Sequence, residues 1–393
     1  MNMKRWLVIG FVLLYVAVMS HGSGGGGGGG IGGTGIVRGW LTDAPACGYD
    51  QVNVTIERLR IHALPDAEPE AGGWSDIVLD PPLRVDLLTL QNGVLAALGQ
   101  TEVTAGRYRQ MRLVLSQNTP DAPLANSVVP TGLAETALDA SAGAEGGIKV
   151  HLDAHVGAGQ IVDVVLDFDA CQSVVLAGGS GHYKLKPVIR AMPVTTLQGQ
   201  GVAGHVDPSL DMSSTRVSVQ SHGVVVKATT PQPNGEFMLY PVPAGSHDLV
   251  VTADGRATTV VTGVPVTTTE HTRVGSAPSP IVPPAAPQGR RHVTGRVTPA
   301  TATTHAWQRL LGGTRVQVGF GPVDMATGAY AVALPIDAPS VGQYTAHSQV
   351  PIVFKPVERE AGQYMLEART ARRAMAQGVD TRAPVPPVNF RFR

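Results

Sequence analysis

GIKVHLDAHVGAGQIVDVVLDFDACQS, residues 147–173, is the stretch whose reading decides the fold. IKVHLDAHV and QIVDVVLDFDA read as two strands joined by a Gly-Ala-Gly turn, because apolar and polar side chains alternate along them. In the second strand Val164, Leu166, Phe168 and Ala170 fall on one parity, and Asp167, Asp169 and Cys171 on the other. One face is predicted to enter a core. The other carries carboxylates and a thiol, so it reads as a metal site, a reactive cysteine, or an ordinary sheet face beside a disulfide.

The rest of the chain supports strands. It has 393 residues, 47 of them glycine and 30 proline, with only 5% aromatics. Turn formers separate short runs rich in Val and Thr, a pattern of many short strands. The length suggests several domains of about 100–150 residues each. Formal net charge is zero, so no strong field favours nucleic acid or an anionic lipid surface.

Lys4 and Arg5 precede an apolar run from Trp6 to Met19, which reads as an export signal over residues 1–20, cleaved or retained as an anchor. Residues 21–35 are a glycine-rich stretch read as a flexible tether, since glycine loses the most freedom on ordering. No cysteine precedes that run, so a lipid anchor has no attachment point. The expected location is the periplasm or cell surface, with membrane contact only through the N-terminal segment.

Cys47 and Cys171 are the two cysteines. In an oxidising compartment they are expected to pair. Closing so long a loop contributes about 4–5 kcal/mol in the chain-entropy picture, less any strain. Two separate buried thiols are the alternative.

Three segments open alike: GIVRGWLTDAP from Gly35, GVAGHVDPS from Gly201 and HVTGRVTPA from His292. Three more echo one another: AGRYRQMRLVL (105–115), AGSHDLVVTA (244–253) and AGQYMLEART (361–370). NGEFMLYPVPAG (234–245) matches TGAYAVALPIDAP (327–339). These repeats predict an all-β chain of tandem β-sandwich domains, immunoglobulin-like, at residues 36–195, 198–275 and 292–393. The proline-rich segment 276–291 reads as a stiff, extended spacer. NGVLAALG (92–99) reads as a turn followed by a short helical stretch, and residues 117–147 as long loops.

LTDAPACGYDQVNVTIERLRIH, VDLLTLQNGVLAALGQTEVTAGRYRQMRLVL and VLDFDACQSVVLAGGSGHYKLKPVI resemble the exported bacterial domains grouped as domain of unknown function 4382. That resemblance covers nearly all of residues 36–190 and implies that both cysteines belong to the framework. GVAGHV, NGEFMLYPVPAGSHDLVVTADG and VVTGVPVTT resemble a carboxypeptidase regulatory-like domain, which implies a prealbumin-like β-sandwich. VTGRV, ATGAYAVALP and AGQYMLEA resemble a more distant relative. The regulatory-like resemblance implies a carbohydrate-binding role and supplies no catalytic residues.

Asp43, Asp50, Asp167 and Asp169 flank the two cysteines, and a bridge would gather their carboxylates. Calcium takes several oxygen ligands and would suit such a cluster. Carboxylates that face solvent or cap backbone groups are the plainer reading. Trp74, Tyr240 and Trp307 are the aromatic candidates for stacking on a sugar, with Trp307 placed at a short helix cap. Phe237 and Tyr330 read as core. The sequence has no HExxH, CxxC or GxSxG, and Ser180 sits in a glycine turn. The expectation is a non-enzymatic structural or adhesive protein of the bacterial envelope, with a glycan or another envelope protein as partner. A carbohydrate-binding accessory protein is the alternative.

Overall fold

The computed structural model describes residues 33–43, 48–178, 181–194, 199–310, 313–345 and 351–393. The export signal, most of the glycine tether and Cys47 lie outside the described residues. The fold is nearly all β.

The first sandwich contains β1 (Thr34–Asp43), β2 (Tyr49–His62), β3 (Ser75–Asp86), β4 (Ala96–Thr104), β5 (Gly106–Leu115), β6 (Ser127–Pro130), β7 (Thr136–Asp139), β8 (Ile148–Val156), β9 (Ile161–Phe168), β10 (Val174–Leu176), β11 (Tyr183–Leu185) and β12 (Ile189–Val194). One sheet runs β12-β9-β1-β4; the other runs β10-β11-β7-β6-β2-β5-β8, with β3 also on β2. The alternation in residues 147–173 places the core correctly. Ile148, Val150, Leu152, Ala154 and Val156 of β8 point inward, as do Val164, Leu166 and Phe168 of β9. Residues 117–147 hold two short strands as well as loops. The stretch read as helical after Asn92 is strand β4. Ala96 and Ala97 lie opposite Leu41 and Trp40, and this cross-strand pairing overrides the helix propensity of Ala and Leu.

The second sandwich contains β13 (Val202–His205), β14 (Arg216–Ser221), β15 (Val224–Thr229), β16 (Glu236–Leu239), β17 (Gly245–Thr252), β18 (Thr259–Val266) and β19 (Thr272–Val274). The third contains β20 (Arg290–Thr298), β21 (Thr303–Arg309), β22 (Arg315–Gly321), β23 (Ala329–Pro335), β24 (Ser340–Gln343), β25 (Lys355–Pro356), β26 (Gln363–Arg369), β27 (Ala374–Asp380) and β28 (Phe390–Arg391). Their sheets correspond strand for strand: β16-β13-β19 with β23-β20-β28, and β15-β14-β17-β18 with β22-β21-β26-β27.

The glycines of the repeats explain why the echoes exist. A Cβ on Gly204 would stand 2.0 Å from the Val274 carbonyl oxygen, and one on Gly295 would stand 1.7 Å from that of Val388. In the following turns Gly235 and Gly328 have φ of +84° and +68°, and a Cβ there would stand 2.2 and 2.3 Å from the Val206 and Val297 carbonyl oxygens. No other residue fits either place in either sandwich.

Residues 33–393 form one compact unit. The proline-rich segment is not an extended spacer. Ile281 is buried, its N–H donates to the His205 carbonyl at 2.8 Å, and Ala257 and Ala286 bond Pro284 and Gly255 backbone groups. The prolines suit this path because they leave few donors to satisfy while apolar side chains pack. A strand of the third sandwich then crosses over: β24 adds in parallel to β18, extending the sheet of the second. Val250 and Val260, on the outer face of that sheet, belong to the hydrophobic cluster of the third sandwich.

Candidate functional site

The polar face of β9 does not face water. β1 and β9 run parallel with Asp43 opposite Phe168, so Asp43, Asp167 and Asp169 gather at one end of the sheet. There they meet β15, the edge strand of the second sandwich. Lys227 leaves that edge, is 1% exposed, and places its Nζ on the Asp167 carboxylate and on the Asp43 carbonyl oxygen, the latter at 2.9 Å. A buried ammonium needs both a counter-charge and acceptors, and this one has them. Asp43 is completely buried. Its Oδ1 accepts from the Ala170 N–H at 3.0 Å, while Oδ2 has no partner among the described residues. Burial holds its carboxyl well above the ordinary carboxylate range, with Asp169 and Asp167 adding to the effect. Asp169 caps the helical turn Ala170–Ser173, accepting from the Gln172 N–H at 3.0 Å. Further along β9, Asp163 holds Arg38 by two bonds of 2.8 and 2.6 Å and accepts from Trp40 Nε1 at 2.7 Å.

The four aspartates do not converge on a cation. Asp50 is exposed and accepts from Thr131. Asp167 is taken up by Lys227 and Asp169 by its helical turn. Among the described residues no group of three or more His, Cys, Asp or Glu side chains is arranged to hold a metal ion. The aspartates therefore neutralise, cap and join rather than form a calcium cage.

The second docking point is Asn92, which has φ of 55° in a turn with Gly93. Its backbone N–H reaches Thr229 Oγ1 at 3.1 Å, and Nδ2 donates to the Thr230 carbonyl at 2.8 Å. Its Oδ1 accepts from the Met238 N–H at 3.3 Å. One turn residue thus bonds the end of β15 and the backbone of β16. The third point is Gln220, wholly buried. Its Nε2 donates to the Gln317 carbonyl at 2.7 Å and its Oε1 accepts the Gln317 N–H at 2.8 Å, as a neighbouring strand would.

Where the three sandwiches meet lies a cavity of about 320 Å³, lined by Cys171, Arg216, Ser218, Gln317 and Phe320 among others. The Arg216 guanidinium stacks on Phe320 at 5.7 Å, and its Nη2 is buried without a partner among the described residues. Burial lowers its pKa, opposed by Asp169 and Asp167. Cys171 is buried on the wall of this cavity, and no described cysteine is free.

The aromatic candidates are engaged elsewhere. Trp74 is half-buried, with Arg60 at 4.9 Å and Arg112 at 5.7 Å from its ring, and His62 beside it. Tyr240 is 3% exposed. Burial and the nearby Asp163 push its hydroxyl pKa up to about 12. Trp307 does not cap a helix. It lies in β21, 5% exposed, with Arg315 over its ring at 4.5 Å. Tyr240 and Trp307 are buried and so offer no open ring face to a sugar, while Trp74 is held among Arg60, Arg112 and His62. Lys227, Asn92 and Gln220 were missed by sequence reading. Each looks like an ordinary strand or turn residue, and only its tertiary partner marks it.

The two-sheet geometry, the Asp43–Asp169 end and the flanking framework all lie within one matched region. Residues 34–187 match the family described as Domain of unknown function (DUF4382). The regulatory-like resemblance of the two sandwiches that follow is not shown by a family match. No curated protein matches the chain. Two solved structures are similar over a short part: a C-terminal and an N-terminal interface mutant of a type II Cohesin-X-Dockerin complex from Acetivibrio cellulolyticus. They are 23% and 22% identical, each match covering 22% of this chain and 59% of that chain at a TM-score of 0.20. The DUF4382 region thus supplies one half of the Asp167–Lys227 junction, and the second sandwich supplies the other.

Proposed function

We propose that the chain is an exported, non-enzymatic structural or adhesive protein of the bacterial cell envelope. The observation that carries this reading is the fusion of three sandwiches into one body. β24 completes a sheet of its neighbour, while Lys227, Asn92 and Gln220 tie the remaining contacts. Sandwiches fused in this way cannot turn independently and hold a surface at fixed orientation, which suits a strut or adhesin. The N-terminal signal would deliver it, and a Cys47–Cys171 bridge would secure the end of the first sandwich from which β1 and β9 both depart. Fractionation of expressing cells with non-reducing mass mapping tests this. The expected result is envelope material carrying a linked Cys47–Cys171 peptide. Cytosolic chain with both thiols open to alkylation would overturn the reading. A glycan array on the intact chain separates adhesion to protein from sugar binding.

A further inference from the structure

Three lysine–aspartate pairs occur among the described residues, and one differs from the others. Lys149–Asp66 and Lys184–Asp139 lie in solvent, with every side chain close to half exposed or more. In the third pair the Lys227 side chain is 1% exposed and that of Asp167 12%. An ammonium and a carboxylate hidden from water both give up hydration, and their attraction must offset that loss. Transfer of one proton from Nζ to the carboxylate removes both charges. Burial favours the neutral forms. What remains is an amine against a carboxylic acid, the starting pair for an amide.

The junction also orients the pair. Lys227 Nζ bonds Asp167 Oδ1, which is one covalent bond from Cγ. The Asp43 carbonyl oxygen accepts another N–H of the same group at 2.9 Å. Both strands are fixed. Lys227 lies opposite Val219 in the ladder of β14, and Asp167 lies between Thr42 of β1 and Arg190 of β12. Reactants held in this way meet at the effective concentration of an intramolecular reaction. Asp43 supplies a proton donor. Its side chain is wholly buried, and its Oδ2 has no partner among the described residues. Burial holds its carboxyl above the ordinary range, so it keeps a proton that the ion pair does not use.

We propose that Lys227 and Asp167 condense into an isopeptide bond that joins the second sandwich to the first, with Asp43 as the general acid. The amine lone pair attacks Cγ, and an Nζ–Cγ bond forms. One Cγ–Oδ bond then breaks, and its oxygen leaves as water. That water carries the proton first passed from Nζ to the carboxylate and a second proton from Asp43. Asp43 recovers a proton from Nζ as the amide forms. The sum is one ammonium and one carboxylate giving one amide and one water, with no oxidant, reductant or cofactor. The structure shows the pair before this step. The inference goes beyond the envelope reading, because the bond forms wherever the chain folds.

Mass mapping of the reduced, denatured full chain after trypsin tests it. A linked Lys227 resists cleavage and ties residues 217–256 to residues 150–184 in one product. The expected product weighs one water less than its two halves. Lys227→Arg keeps the cation but removes the amine, and should release residues 150–184 unlinked. Asp43→Asn retains an acceptor for the Ala170 N–H and so preserves the local fold. Its linked fraction should fall at least about tenfold, since a positioned general acid contributes about 10²–10⁴ in rate. Complete cleavage after Lys227 in the unmodified chain would overturn the proposal. So would a link from Lys227 to another carboxylate, or an Asp43→Asn chain linked as fully as the unmodified one.

Discussion

The second and third sandwiches share one strand order, one pair of crowded glycines and one pair of turn glycines, yet their surfaces differ. The second is enclosed: the DUF4382 region covers its β15 edge, β24 its β18 edge, and the third core the outer face that carries Val250 and Val260. The third keeps its β27 edge in solvent. The difference traces to the segment between β23 and β26, which has no counterpart between β16 and β17. That segment carries β24 to its neighbour, and Ile352 and Phe354 pack against the second core. Equivalent folds thus come to differ in which of their edges are free, and the inserted segment decides it.

Substitutions at these edges sharpen the comparison. The largest effect is expected from Lys227→Met, which leaves Asp167 without its cation inside the junction. The loss should be about 3–5 kcal/mol by urea unfolding. A loss below about 1 kcal/mol would mean the second sandwich is not held by its β15 edge. Next is Gln220→Ala, which strands the Gln317 N–H and C=O. It should cost about 1–3 kcal/mol, and more than the same change at exposed Gln377.

Two groups give opposite pH slopes. Burial holds the His305 imidazole down at about 4, below its ordinary 6.5. Between those values the unfolded chain binds more protons, so stability falls as pH drops from about 6.5 to about 4. Thermal melts of His305→Gln should lose that slope. The Asp43 carboxyl is raised instead. The folded form then holds its proton longer, and its contribution is lost as pH rises through the folded pKa. Asp43→Asn should therefore gain on the unmodified chain as pH rises above the ordinary carboxylate range. The smallest effect belongs to Ala376→Lys/Gly378→Lys. Unfolding should shift by no more than about 0.5 kcal/mol per site, because both positions are exposed on β27.

Much of this architecture was legible. The alternation in residues 147–173 identified the inward face of β8 and β9, and the glycine echoes located equivalent strands because backbone crowding admits nothing larger. The joins were not legible. Periodicity reports burial within a sheet, but it cannot say that a polar face will be covered by another domain, so Asp167 read as solvated. Lys227 sits in VVVKAT like any surface lysine. The prolines of 276–291 read as a spacer because composition is silent on tertiary contact; Ile281 among them was the one hint of packing. Trp307 and Tyr240 were visible as aromatic residues, but their burial depends on neighbours far along the chain.

The crossing of β24 also bears on how such a chain can change over generations. A sandwich whose sheet is finished by its neighbour cannot be cut out, duplicated or traded alone without exposing a bare margin on what remains. Recombination cannot part the second sandwich from the third, and moving the two together still strands Lys227 and bares the β15 edge that the first sandwich covers, whereas a sandwich bounded by its own strands could travel by itself.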